Sequence, residues 1–142
     1  MTIVALDVGE RRVGLAVSDP SGTLATPYGV VQRRSKAEDF AEVARLVETV
    51  AAERVVVGLP LLLSGEMGPQ ARRVVRYARA LAGMLSVPVE LVDERYSTLT
   101  ADALLVEAGR QRRVPIDAAA AAVILQEYLD THGGSPLLLQ GE

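Results

Sequence analysis

The chain opens with two short stretches of strand-like, mostly apolar character, "TIVALDVG" and "RRVGLAVSD", joined by a tight connection from Gly9 to Arg12. That pattern predicts an antiparallel hairpin. "GTLATPYGVVQ" predicts a third strand, with Pro27 marking an edge or an irregularity. After Ser35 the period changes, and Ala37, Phe40, Ala41, Ala44, Leu46, Val47 and Val50 give a wide helical face. "RVVVGLP", residues 54 to 60, is continuous, β-branched and closed by Pro60, as expected of a central parallel strand covered on both sides. "LLLSGEMGPQ" then feeds a second helix whose face carries Ala71, Val74, Val75, Ala78, Leu81, Ala82 and Leu85. "VPVELV", residues 87 to 92, predicts a fifth strand. Helices are expected over 98–108, stopped by Gly109, and over 116–130, before the Gly133-Gly134-Ser135-Pro136 break.

A hairpin and a third strand followed by alternating helices and strands predict an α/β fold, a mixed five-stranded sheet flanked by helices. The 142 residues, 49% of them hydrophobic, suit one domain, expected over 1–131 with a flexible C-terminal tail over 132–142. No internal repeat is visible.

Composition narrows the chemistry. There is no Cys, which removes disulfides, thiolate zinc sites and cysteine nucleophiles. No uncharged apolar run approaches membrane-spanning length, so a soluble cytoplasmic protein without a membrane partner is expected. The net charge of −3 argues against a uniformly cationic coat for nucleic acid. Yet every basic residue except Lys36 is Arg, grouped as Arg11-Arg12, Arg33-Arg34, Arg72-Arg73 with Arg76 and Arg79, and Arg110 with Arg112-Arg113. The guanidinium fork suits phosphate contacts.

Three carboxylates stand where chemistry is expected. Asp7 shares the side of its strand with Ile3 and Ala5, where an ionised carboxylate is costly unless a metal, donors or solvent meet it. Glu94 follows the 87–92 strand at its carboxyl end, the edge of an α/β sheet where ligands collect. Asp117 lies in the first turn of the last helix, on the side of Ala120 or Ala121, Ile124 and Tyr128. If the first strand and the 87–92 strand are neighbours, and the alanine-rich helix packs closely over them, the three converge. Converging carboxylates raise one another's pKa unless a cation relieves them, and an all-oxygen set favours Mg2+ or Mn2+. Such a site suits phosphodiester hydrolysis.

Each of these residues also has a purely structural reading. Asp117 can serve as an N-cap after Pro115, and Asp93-Glu94-Arg95 can form a local ion-pair network. Gly9 serves either phosphate approach or the hairpin turn, and Gly14 is open in the same way. Ser97 and Thr98 can each donate to phosphate or cap the following helix, capping being the favoured role for Thr98. Arg95 either orients Glu94 or reaches a phosphate, and "RQRRVP" is either a backbone clamp through Arg110, Arg112 and Arg113 or a solvated loop.

"ALDVGERRVGLAVSD", "VVVGLPLLLSGEMGPQA", "VELVDERYST" and "VPIDAAAAAVILQEYLD", in that order and spacing, resemble the YqgF or RuvX-like family of Holliday junction resolvases and pre-16S ribosomal RNA nucleases. The resemblance spans Ile3 to Asp130 and implies a ribonuclease H-like fold. It implies that Asp7, Glu94 and Asp117 are the catalytic, metal-binding residues. The chain departs from the family at Leu62 and Leu63, where relatives often carry a polar residue.

The preferred expectation is a metal-dependent nuclease for structured nucleic acid, with pre-16S ribosomal RNA ahead of a DNA four-way junction. Ribosomal association and a monomer or homodimer are compatible with it; for nucleic acid, Gly9, Arg11, Arg12, Arg95, Ser97, Arg110, Arg112 and Arg113 are the candidate contacts. A non-catalytic RNA-binding assembly factor is the second class. An actin-like ATPase lobe is the third, disfavoured because one short domain lacks a facing lobe and a Walker loop.

Overall fold

A computed structural model describes residues 1–94, 115–131 and 137–139. The elements are β1 (Ile3–Val8), β2 (Arg12–Ser18), β3 (Ala25–Gln32), α1 (Lys36–Thr49), β4 (Arg54–Leu59), α2 (Pro69–Ala82), β5 (Val89–Asp93), α3 (Ile116–Asp130) and β6 (Leu137–Leu139). They form one sheet in the order β3-β2-β1-β4-β5-β6. β1, β2 and β3 are antiparallel, β1, β4 and β5 run parallel, and β6 is antiparallel to β5.

The five expected strands and the hairpin are present. A sixth strand, Leu137–Leu139, joins the expected five, registered with Leu137 opposite Leu91 and Leu139 opposite Val89. An unpaired β5 edge offers backbone donors and acceptors, and a short apolar run beyond a Gly/Pro break can take them up. β3, the strand with Pro27, is indeed an edge, and its ladder to β2 shifts register between Leu15 and Ala16. The helix expected over 98–108 lies outside the described residues.

The period of two along each strand sorts side chains between two layers. Val4, Leu6 and Val8 of β1, Val13 and Leu15 of β2, Val55 and Val57 of β4, and Val89 and Leu91 of β5 join α1 and α2 in the larger core. Ile3, Ala5, Ala16 and Val56 pack on the other face against Ala121, Leu125 and Tyr128 of α3. β4 is covered on both sides, as its unbroken valines require; Val55, Val56 and Val57 are fully buried.

Ser35 caps α1, its hydroxyl accepting from the Glu38 amide at 3.2 Å. The inward faces of α1 and α2 differ in detail from the helical-wheel expectation. Asp39 and Val43 are buried in α1 while Ala37 and Ala41 are exposed, and Tyr77 joins the buried face of α2, which ends at Ala82 before Gly83. Asp39 is tolerated because its carboxylate accepts from the Arg34 amide and faces the Arg33 guanidinium.

A second buried charge, Glu90, sits on the α3 face. Arg54 reaches its Oε1 at 2.7 Å, and the Tyr128 hydroxyl donates to Oε2 at 3.1 Å. The trio joins β4, β5 and α3 away from the carboxyl ends of the strands.

Candidate active site

The same alternation that buries Ile3 and Ala5 under α3 puts Asp7 on that face, at the carboxyl end of β1. Its cross-strand partner in β2 is Gly14. On the other side, Leu6 registers with Val57, so Gly58 of β4 is level with Asp7. A row of Gly14, Asp7 and Gly58 therefore crosses the sheet, and the two glycines remove side chains from either side of the carboxylate.

Each vacated space is used. A Cβ at Gly14 would lie 1.8 Å from the Asp117 carbonyl oxygen, so the first turn of α3 rests on the β2 backbone. A Cβ at Gly58 would lie 2.6 Å from Glu94 Oε2 and 2.7 Å from Ile124 Cδ1. Glu94 thus lies across β4. This corrects one premise: β1 and β5 are not neighbours, because β4 stands between them. Convergence depends instead on Gly58, which lets a side chain from the end of β5 cross the intervening strand. The Glu94 amide donates to the Leu59 carbonyl at 3.0 Å, fixing the start of that crossing.

Electrostatics report the proximity. Burial, followed by the Asp117 charge, pushes the Asp7 carboxyl up to about 6. Glu94 is pushed up to about 9, first by burial and then by the charges of Asp7, Glu127 and Asp93. Its Oε1 is buried without a hydrogen-bond partner. An unpaired buried carboxylate oxygen is costly, so this group holds a proton at neutral pH or needs a cation.

Asp117 is not the N-cap of α3, because Pro115 occupies that position and makes no side-chain cap. Its Oδ2 pairs with Arg12 Nε at 3.0 Å, with Asp117 one-third exposed and Arg12 about half exposed. Among the described residues no three His, Cys, Asp or Glu side chains stand together as a ready metal cluster; the third carboxylate is engaged by a cation of the chain itself. Gly9 makes the hairpin turn, its amide donating to the Arg12 carbonyl at 2.9 Å. Arg11 is exposed at that turn. Arg95, Ser97, Arg110, Arg112 and Arg113 lie outside the described residues.

Two contributors escaped the sequence reading. Gly58 looked like part of an ordinary buried strand, although a glycine inside a strand is itself a signal of close approach. Glu127 adds repulsion at Glu94 from α3; its position three residues after the inward-facing Ile124 was the available clue.

A mixed sheet of this order, with a helix packed over an acidic residue at the end of its first strand, defines a ribonuclease H-like fold of the RuvC type. Thermus thermophilus RuvC in complex with a Holliday junction superposes with a TM-score of 0.60 at 19% identity, covering 98% of this chain and all of that one. The family model described as "RuvX: Holliday junction resolvase" matches residues 1–131. This chain belongs to that family. A Chloroflexus aurantiacus protein named "Putative pre-16S rRNA nuclease" is 43% identical over 137 residues, covering 94% of this chain and 90% of that protein. A Synechococcus protein of the same name is 47% identical over 130 residues, covering 89% and 82%.

Proposed function

We propose that the protein is a metal-dependent endonuclease hydrolysing phosphodiesters of structured nucleic acid, acting in the cytoplasm on the 5′ end of pre-16S ribosomal RNA. Family membership and the relatives' names support this activity. The location is consistent with the absence, among the described residues, of any helix long and apolar enough to cross a membrane. The observation that carries the reading is Glu94: a buried, unpaired carboxylate oxygen laid over Gly58 toward Asp7.

The residues fit a divalent cation. The donors are all oxygen, one of them is orphaned, and the glycine row leaves a floor on which they can gather. Asp7, Glu94 and Asp117 would hold a Mg2+ or Mn2+ ion, which would supply Lewis-acid stabilisation of charge on the phosphate and the leaving 3′ oxygen. Asp7, paired with Gly14 in the β1–β2 ladder and next to the last β1–β4 pair at Leu6, is the fixed member. Glu94 is oriented by the end of β5. Asp117 rides on the first turn of α3, and Arg12, paired to it, has a fork that serves phosphate as well as carboxylate. No side-chain nucleophile is needed.

The test incubates wild type and Asp7→Asn with precursor ribosomal RNA and with a DNA four-way junction, in Mg2+, Mn2+ or chelator, and maps the ends. The expected result is cleavage of the RNA leaving 5′-phosphates, lost in chelator and in the variant. Undiminished cleavage by Asp7→Asn, or 3′-phosphate ends, would falsify the mechanism. RNA bound but uncut in both metals points to a non-catalytic assembly factor. Cleavage of the junction alone, by a homodimer, is the second reading; it is favoured by the family description and by the likeness to RuvC.

A further inference from the structure

On the opposite side of the β1–β2 hairpin from the carboxylates lies a cavity of about 600 Å³, between that turn, the start of α1 and the first half of α2. Four of its lining residues are cationic, Arg33, Lys36, Arg73 and Arg76, against one carboxylate, Glu10. Glu10 is largely exposed and stands 4.0 Å from Arg73, a weak contact. Among the described residues Lys36 and Arg76 have no ion-pair partner.

Arg33 is held in place: it donates through Nη1 to the Gly9 carbonyl at 2.8 Å and its guanidinium lies 5.0 Å from the centre of the Tyr77 ring. Asp39, buried beneath it, is 3.9 Å from its Nε. The Tyr77 ring has Arg33 over it, meets Phe40 in a T-shaped contact at 5.1 Å and is only 2% exposed, so it offers no free face for a base. The start of α2 adds to the positive field, with no acidic residue in its first turn and Gln70 of that turn bordering the cavity. Four cations, one of them pre-positioned, with no stacking surface, describe a receptor for phosphate and not for a nucleobase.

Position indicates whose phosphate it is. Val8 borders the cavity and Asp7 borders the candidate active site, and these adjacent residues point to opposite faces of β1. The two sites therefore share one sheet end, and a strand passing over that end meets both. We propose that this cavity binds a backbone phosphate of the nucleic-acid substrate away from the cleaved bond, through Arg33, Lys36, Arg73 and Arg76. The proposal rests on the nucleic-acid reading above, but not on cleavage.

The test measures binding of a labelled precursor-RNA stem in chelator, by anisotropy across a salt series, so that catalysis plays no part. Arg73→Gln/Arg76→Gln and the single-charge variant Lys36→Gln are compared with wild type and with Arg72→Gln, which likewise removes one charge, from α2 outside the cavity lining. The expected result for the double variant is a slope of log K against log salt reduced by about 1, with affinity down about tenfold, while Arg72→Gln leaves the slope in place. Melting curves confirm that each variant is folded. Equal slopes for the double variant and Arg72→Gln overturn the site. Inorganic phosphate or a mononucleotide that stabilises wild type but not the double variant, with RNA affinity unchanged, overturns the strand assignment in favour of a free phosphate ligand. RNA binding that depends on Arg73 and Arg76 without cleavage in any metal sustains the cavity and removes the nuclease reading, so the two failures are distinguishable.

Discussion

Replacing Gly14 by alanine isolates the close approach of α3 from every charge in the site. The new methyl would sit 1.8 Å from the Asp117 carbonyl oxygen where ordinary contact starts at 3.4 Å, so the start of α3 must retreat by about 1.6 Å. The contact is with backbone, and no flexible side chain can absorb it. Overpacking of this kind costs about 1–3 kcal/mol, which for a chain of this length lowers Tm by roughly 3–10 °C. Because Asp117 moves with the helix start, and misplacement by about 1 Å can cost about 100-fold in rate, cleavage should fall by at least that factor. Gly29→Ala is the control, since a Cβ there has nothing within 4 Å and the backbone is not left-handed. It should be neutral or stabilising by under about 1 kcal/mol with activity intact. Thermal melting and end-mapped cleavage of precursor RNA read both quantities. If Gly14→Ala melted and cut like Gly29→Ala, α3 would not be seated on Gly14; a lowered Tm with full activity would remove Asp117 from the catalytic set.

Three further outcomes follow from the charges. Glu90→Ala leaves the Arg54 guanidinium with only the Tyr128 hydroxyl, to which its Nη1 donates at 2.7 Å, and takes away that hydroxyl's acceptor; since Arg54 retains 31% exposure, the loss should be about 2–4 kcal/mol, measured by urea unfolding, and a loss under about 0.5 would show the trio to be idle. In chelator the folded state keeps a proton on Glu94 that the unfolded chain releases, so stability is fully present below about 4.5 and declines as pH rises toward about 9. Glu94→Gln should flatten that decline, and an unaltered pH profile would contradict the burial of the carboxyl. Arg12→Gln should change stability by less than about 1 kcal/mol, the pair being partly exposed, yet tighten Mn2+ binding in calorimetry by removing a competing cation from Asp117. Weaker Mn2+ binding would mean that Arg12 orients Asp117 instead of competing for it.

The strands and their order of burial were legible because period two and β-branching are local signals. Asp7 declared itself by being charged on the same side as Ile3 and Ala5, and Asp117 by its place on the apolar face of a helix. The strand order was not legible in the same way. Parallel strands can pair in several orders with the same local pattern, and the insertion of β4 between β1 and β5 is a tertiary choice. The helical-wheel reading also misplaced Asp39 and Tyr77, whose burial depends on Arg33 arriving from another segment. Glu90 was hidden for the same reason: its partners Arg54 and Tyr128 are 36 and 38 residues away in sequence.

The glycines carry the link between that tertiary choice and the chemistry. A glycine inside a strand costs roughly 0.5–1 kcal/mol relative to alanine, and two of them flank one aspartate in the middle of the sheet. Against a total stability of about 5–15 kcal/mol, that is a noticeable sacrifice for a fold with valine and leucine at most neighbouring positions. Packing recovers part of it, because the space of a methyl at Gly14 is taken by the Asp117 backbone and that of one at Gly58 by Glu94 and Ile124. What the two gaps gain is the approach of α3 and β5 toward Asp7, which buries Asp7 and Glu94 and then sets negative charges beside them; both effects are unfavourable and raise the two pKa values. A sheet that gives up stability in order to gather repelling charges makes sense when something positive is to be received there, and the Arg12 contact to Asp117 already fills part of that role.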